Sequence, residues 1–186
     1  MESNLRRYLS QQAEWMSTVR KDSQWKYSSI EDYVVKNGTL FTSAPLTSTE
    51  LEIVYHAAGT GKFPIRQCFA NSQKLLLNDY SDKLVYVEGY ASAIIPVHHA
   101  WIAINNKVVD LTMRVYEVIN GKIERKINLH NHRRFKDRVV GILPAGREYL
   151  GVPFGKEAVI DSMRKTKMYQ SLIDNWQEHR PLLRGI

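Results

Sequence analysis

Residues 68–78, CFANSQKLLLN, followed at 84–118 by LVYVEGYASAIIPVHHAWIAINNKVVDLTMRVYEV, decide how this chain folds. In the first stretch the apolar residues recur at helical spacing, whereas the second is rich in Val, Ile, Tyr and Trp gathered in short runs. This pattern predicts a helix over 68–78 and strands at about 84–94, 98–105, 107–112 and 114–119. Asn120-Gly121 is the two-residue signature of a hairpin turn leading into a strand at 122–128, and Val139 to Leu143 reads as one more strand. Strands that follow one another without intervening helices argue for an α+β arrangement, an antiparallel sheet packed against a helix, because a parallel α/β fold alternates its elements.

Working outward, Leu5, Tyr8, Leu9, Trp15, Met16 and Val19 mark an amphipathic first helix. Ser28 with Glu31 is a capping-box pattern and Asn37-Gly38 a stop, so 29–37 reads as a second helix. Residues 39–48 read as a loop. Thr47 with Glu50 opens a third helix, running to about Ala57 and ending at Gly59-Thr60-Gly61. From Lys156 to His179 the apolar residues Val159, Met163, Met168, Leu172, Ile173 and Trp176 predict one C-terminal helix. The 186 residues, 44% hydrophobic and 24% charged, suit one domain over 1–186. Within it the expected parts are a helical portion at about 1–58, a core at 59–145 and the C-terminal helix at 156–179.

No run approaches the ~20 apolar residues that span a bilayer, and residues 1–20 lack a signal-peptide stretch, so the expected setting is the cytoplasm, without a membrane. The net charge of +7 is local: residues 121–150 hold 8 basic and 3 acidic side chains. That segment, with Arg133, Arg134 and Lys136 at its centre, could meet an acidic macromolecule or nucleic acid, although no aromatic-rich binding motif accompanies it.

Cys68 is the single cysteine, so it forms no internal disulfide and no multi-thiolate zinc site. It stands where a loop becomes a helix, near unpaired backbone N–H groups and the positive end of the helix dipole, both of which favour a thiolate. His99 opens the run HHAWIAIN, and Asp110 lies in KVVDLT after the tight turn Asn105-Asn106-Lys107. Two antiparallel strands about that turn place the partner of residue 99 near 111 or 112, so Asp110 comes within a residue or two of facing His99. A nucleophile, a base and a carboxylate that holds the imidazole tautomer make a Cys-His-Asp set. His98 alternates to the opposite face and reads as structural. No metal and no cofactor are expected, because the acidic or thiolate ligands needed beside His98, His99, His130 and His132 do not stand at recognised zinc spacings.

Residues 67–112 resemble the transglutaminase-like branch of the papain-like cysteine peptidase superfamily, small bacterial and phage members included, through QCFANSQKLL, YVEGYA and HAWIAINNKVVDLT. The resemblance implies a papain-like, transglutaminase-like fold with flanking helices. It implies Cys68 as nucleophile, His99 as general base and Asp110 as orienting acid. The chain departs from the family's pattern where Gln67 and Phe69 flank the cysteine, a place often taken by tryptophan, and where Asp110-Leu111-Thr112 replaces Asp-Pro-Thr. The Cys68 backbone N–H is one oxyanion donor, and Gln67, Tyr55 or another upstream side chain is a candidate second.

The function expected on these grounds is attack of the Cys68 thiolate on an amide or ester carbonyl of a protein or peptide, through a thioester. Water as second nucleophile makes a peptidase, isopeptidase or deamidase; an amine makes a transglutaminase or another acyltransferase. The alternative is a binding protein on the same fold, its triad idle, that uses 121–150 to hold nucleic acid or an acidic partner.

Overall fold

The computed structural model describes residues 3–20, 25–92, 95–119, 122–125 and 134–186, with 116–119 and 122–125 described by their backbone alone. The Asn120-Gly121 turn, the end of the strand expected at 122–128, and the side chains of Arg133, His130 and His132 lie outside the described residues.

The helices are α1 (Asn4–Val19), α2 (Ile30–Asn37), α3 (Ser48–Ala58), α4 (Cys68–Leu77), α5 (Lys156–Thr166) and α6 (Pro181–Arg184). Side chains satisfy the orphan N–H groups that begin the first three. Ser3 accepts from Arg6 on α1, and Thr47 with Glu50 forms a reciprocal capping box on α3. On α2 the cap is Ser29 with Asp32, one residue beyond the Ser28 and Glu31 pair expected; Asp32 in turn accepts the Ser28 N–H at 2.9 Å. At α4 the N-cap is Gln67, whose side chain caps nothing.

The strands are β1 (Thr39–Leu40), β2 (Val85–Ala91), β3 (Val97–Ile104), β4 (Lys107–Arg114), β5 (Tyr116–Ile119), β6 (Lys122–Arg125), β7 (Arg138–Val140) and β8 (Tyr149–Phe154). Six of them form one sheet in the order β1-β8-β2-β3-β4-β7, every ladder antiparallel, and β5 pairs with β6 in a separate hairpin. The molecule is thus α+β. The β3–β4 turn is Asn105-Asn106, both with φ in the left-handed region (48° and 61°), the conformation that matches a two-residue hairpin to strand twist.

Two differences from the sequence expectation matter for the site. β8 was not foreseen, because YLGVPF carries a glycine and a proline that argue against a central strand. Proline is tolerated because β1 pairs only with Leu150 and Gly151, so Pro153, opposite Val87 on β2, has no strand partner on its other side among the described residues. Gly89 and Gly151 face each other in the β2–β8 ladder: a Cβ on Gly89 would meet the Leu150 carbonyl oxygen at 2.3 Å, and one on Gly151 would strike the Trp101 ring at 2.5 Å.

The second difference is the C-terminal helix. α5 stops at Thr166 with Lys167 left-handed (φ 59°), and the chain then passes irregularly beneath the sheet to a 3-10 turn at Trp176–Glu178 and to α6. The cause is Glu88 on β2, which is fully buried. Its carboxylate accepts from Leu172 N (2.8 Å), Ile173 N (3.1 Å), the Ser171 hydroxyl and Tyr86 Oη (3.0 Å). A buried carboxylate requires such donors. A helix through 171–173 would have spent those N–H groups on its own carbonyls.

The core has three parts. α3, α4 and α5 close over Tyr86, Ala100, Ile102, Ile104 and Val109. α1 and α2 pack through Leu5, Leu9, Tyr33 and Val34 on Tyr90, Leu150 and Val152. A third cluster joins Val87, Trp101, Val108, Val139 and Tyr149.

Candidate active site

The β3–β4 ladder ends at Ile102 and Val109, and β4 leaves regular pairing in a bulge between Asp110 and Arg114. Bulges re-aim side chains, and here His99 and Asp110 meet, Nε2 to Oδ2, at 2.6 Å. Both are buried, at 6% and 1% exposure. Cys68 stands at the first position of α4, close enough to the His99 side chain to help raise the imidazole's pKa. Because Nε2 is committed to Asp110, Nδ1 is the imidazole nitrogen left for the thiol. Cys68 itself is half-buried. The structure therefore brings Cys68, His99 and Asp110 together in a line that runs from a partly accessible sulfur to a sealed carboxylate.

Every acceptor position of Asp110 is occupied. Oδ2 accepts from His99 and from the Tyr149 hydroxyl at 3.0 Å, while Oδ1 accepts from the backbone N–H of Thr112 and of Met113, both at 2.9 Å. Burial opposes its charge, but the His99 imidazolium and these donors hold the carboxyl below the usual carboxylate range. Burial likewise opposes the charge on His99, yet Asp110 and then Cys68 outweigh it and lift the imidazole to about 10. Both shifts favour the imidazolium–carboxylate form of the pair. Burial and the Asp110 charge keep Tyr149 a protonated donor by raising it well above the ordinary tyrosine value.

Asn71, one turn after Cys68, ties α4 to this geometry. Its Nδ2 donates to Thr112 Oγ1 (2.7 Å) and to the Pro64 carbonyl (2.8 Å), joining the helix to the β4 bulge and to the loop that enters it. Trp101 lies near-parallel to the His99 ring, with centroids 6.4 Å apart, and it fits because Gly151 leaves space beneath it. Sequence reading missed Tyr149, Asn71 and Glu88. Asn71 stands three residues after the nucleophile on the same helix, a spacing that could have marked it. For Tyr149, 39 residues from Asp110, no local signal exists.

His98 makes a second imidazole–carboxylate contact, Nε2 to Glu88 Oε1 at 3.2 Å, with its ring against Phe69 (5.4 Å) and Tyr90 (5.6 Å). The oxyanion candidates are placed differently. Gln67 is exposed directly before Cys68 and leaves the first turn of α4 uncapped, so backbone N–H groups are open beside the sulfur. Tyr55 stacks on Phe135 at 5.2 Å within the α3 layer. Arg134 lines a groove of about 420 Å3 with Phe63, Pro64 and Leu111, its charge over the Phe135 ring at 5.3 Å. Lys136 is exposed and not part of that wall.

Among the described residues no group of three or more His, Cys, Asp or Glu side chains is arranged to hold a metal ion, and no helix is long and apolar enough to cross a membrane. No protein-family model, curated protein or solved structure matches the chain.

Proposed function

We propose that this chain is a cysteine-nucleophile enzyme of the transglutaminase-like branch of the papain-like fold, acting in the cytoplasm on an amide or ester carbonyl of a protein or peptide. The observation that carries the reading is the set in which Cys68, at the start of α4, lies beside His99, and His99 bonds an Asp110 whose four acceptor positions are filled. Such a carboxylate holds the imidazole in one tautomer and supports its positive charge. The open first turn of α4 supports the same reading, because uncapped N–H groups beside the sulfur are what an oxyanion requires.

In this mechanism the His99 imidazolium supports a Cys68 thiolate. The sulfur attacks the carbonyl carbon; the C=O π pair moves to oxygen and is held by the Cys68 backbone N–H. Collapse expels the amine or alkoxide, which takes the proton from His99 Nδ1, and a thioester remains. Neutral His99 next removes a proton from water or from an amine as that nucleophile attacks, and thiolate departure restores the imidazolium pair.

The deciding experiment is labelling with a peptide vinyl sulfone followed by intact-mass analysis. One adduct at Cys68, slowed about 10²-fold or more by His99→Ala, is expected. Labelling that is indifferent to His99 would overturn the proposal.

A further inference from the structure

A separate cavity of about 490 Å3, none of whose walls belongs to the Cys68 site, opens at the C-terminal turn between Trp25, Trp176, His179, Arg180, Arg184 and Ile186. Its two sides are held together: Tyr27 N donates to the Leu183 carbonyl at 3.1 Å, and the Lys26 side chain packs beside Gly185. The volume falls in the range of about 300–1,000 Å3 typical of small-ligand sites.

Two features of the wall go unexplained by folding. Trp176 keeps 63% of its surface in water, although an indole gains most by burial. The positive charge is also under-used. Arg180 pairs with Asp174 through Nε alone, leaving its Nη nitrogens, while the Arg184 guanidinium and the His179 imidazole have no side-chain partner among the described residues.

An exposed indole offers a flat platform for any base, and guanidinium forks match phosphate oxygens two at a time. The complementary ligand is therefore both planar and anionic. We infer that the cavity at Trp25, Trp176, Arg180 and Arg184 binds a nucleotide unit, its base on an indole and its phosphate on the guanidinium groups with His179. None of its lining residues belongs to the basic 121–150 segment, and its binding is independent of the chemistry at Cys68. The unit comes either as a free mononucleotide or as part of a single strand.

The test is isothermal titration of the full chain with AMP, with inorganic phosphate and with a single-stranded hexathymidylate, in the wild type, Trp176→Leu and Arg184→Gln. Both substituted side chains are exposed, and an unchanged Tm confirms that each variant folds. Saturable binding is expected, with phosphate about tenfold or more weaker than the nucleotide and each substitution costing about tenfold, as loss of stacking or of a phosphate contact would. Tighter binding of hexathymidylate than AMP, through the same two residues and weakened by salt, assigns the strand; the reverse order assigns the free nucleotide. Absence of saturable binding at millimolar ligand, binding insensitive to both substitutions, or phosphate binding as tightly as AMP would overturn the inference.

Discussion

The Tyr149 hydroxyl donates to Asp110 Oδ2 at 3.0 Å, the same oxygen that accepts His99 Nε2 at 2.6 Å. Tyr149→Phe keeps the ring packed on Trp101 and removes only this donor. A hydrogen bond to a buried charge contributes about 1.5–3 kcal/mol. The variant is expected to lose that much in denaturant unfolding and to label at Cys68 several-fold more slowly. Unchanged labelling would show that the hydroxyl serves stability alone.

Asp110→Asn tests the orienting role. The two N–H groups of Thr112 and Met113 retain an oxygen to donate to, so the amide nitrogen turns toward His99 Nε2, which must then accept, and the proton moves to the wrong ring nitrogen. Turnover is expected to fall by about 10²–10⁴ with the fold intact. His98→Gln, which alters the contact with Glu88, should cost far less; equal losses at the two histidines would mean that the base is misassigned.

The same pair makes a pH prediction. His99 is raised to about 10 in the folded protein, against an ordinary histidine value of about 6.5 in the unfolded chain. Between those values the folded state holds a proton that the unfolded state has released. The contribution of His99 is therefore complete below about pH 6.5 and is lost as pH rises through about 10. Urea midpoints measured from pH 6.5 to 10 should decline less steeply in Asp110→Asn than in wild type. Parallel curves would remove the pair as the cause.

Glu50 predicts the acid limb. It closes the α3 capping box through Thr47 N (2.7 Å) and reaches the β3–β4 hairpin through Lys107 Nζ (2.8 Å) and Asn105 Nδ2 (2.8 Å). Burial works against its charge, but these donors lower it to about 2. Its stabilisation is present above about pH 4.5 and fades as pH falls through about 2. Glu50→Gln should lower stability at pH 7 by about 1–3 kcal/mol and flatten the acid limb, as thermal melts from pH 7 to 2 would show.

The basic segment should act on substrate choice. Replacing Arg133, Arg134 and Lys136 with Gln is expected to raise KM for an acidic macromolecular substrate several-fold and to flatten its salt dependence, with kcat and Cys68 labelling nearly unchanged. Arg134, in the wall of the groove beside Leu111, should account for more of the change than Lys136. Lost labelling would instead make the segment a support of the site.

The sequence by itself determined the local elements near the site. Helical spacing after Cys68, short runs rich in Val, Ile and Trp on either side of Asn105-Asn106, and the capping pair Thr47 and Glu50 are short-range signals, and α4, β3, β4 and α3 appear where those signals stand. The proximity of His99 and Asp110 was legible for the same reason, since a two-residue turn sets the register of its flanking strands. Only the tertiary structure decided what surrounds them. Tyr149 reaches Asp110 because β8, a strand with an interior glycine and proline, is stabilised by pairing with β2 and by the space Gly151 leaves for Trp101. The continuous helix expected to His179 ends at Thr166 because Glu88, buried in the sheet, recruits the backbone of 171–173. In both cases a buried group takes partners far along the chain, and the demand of a carboxylate for donors outweighs the local helical or turn preference of the residues that meet it.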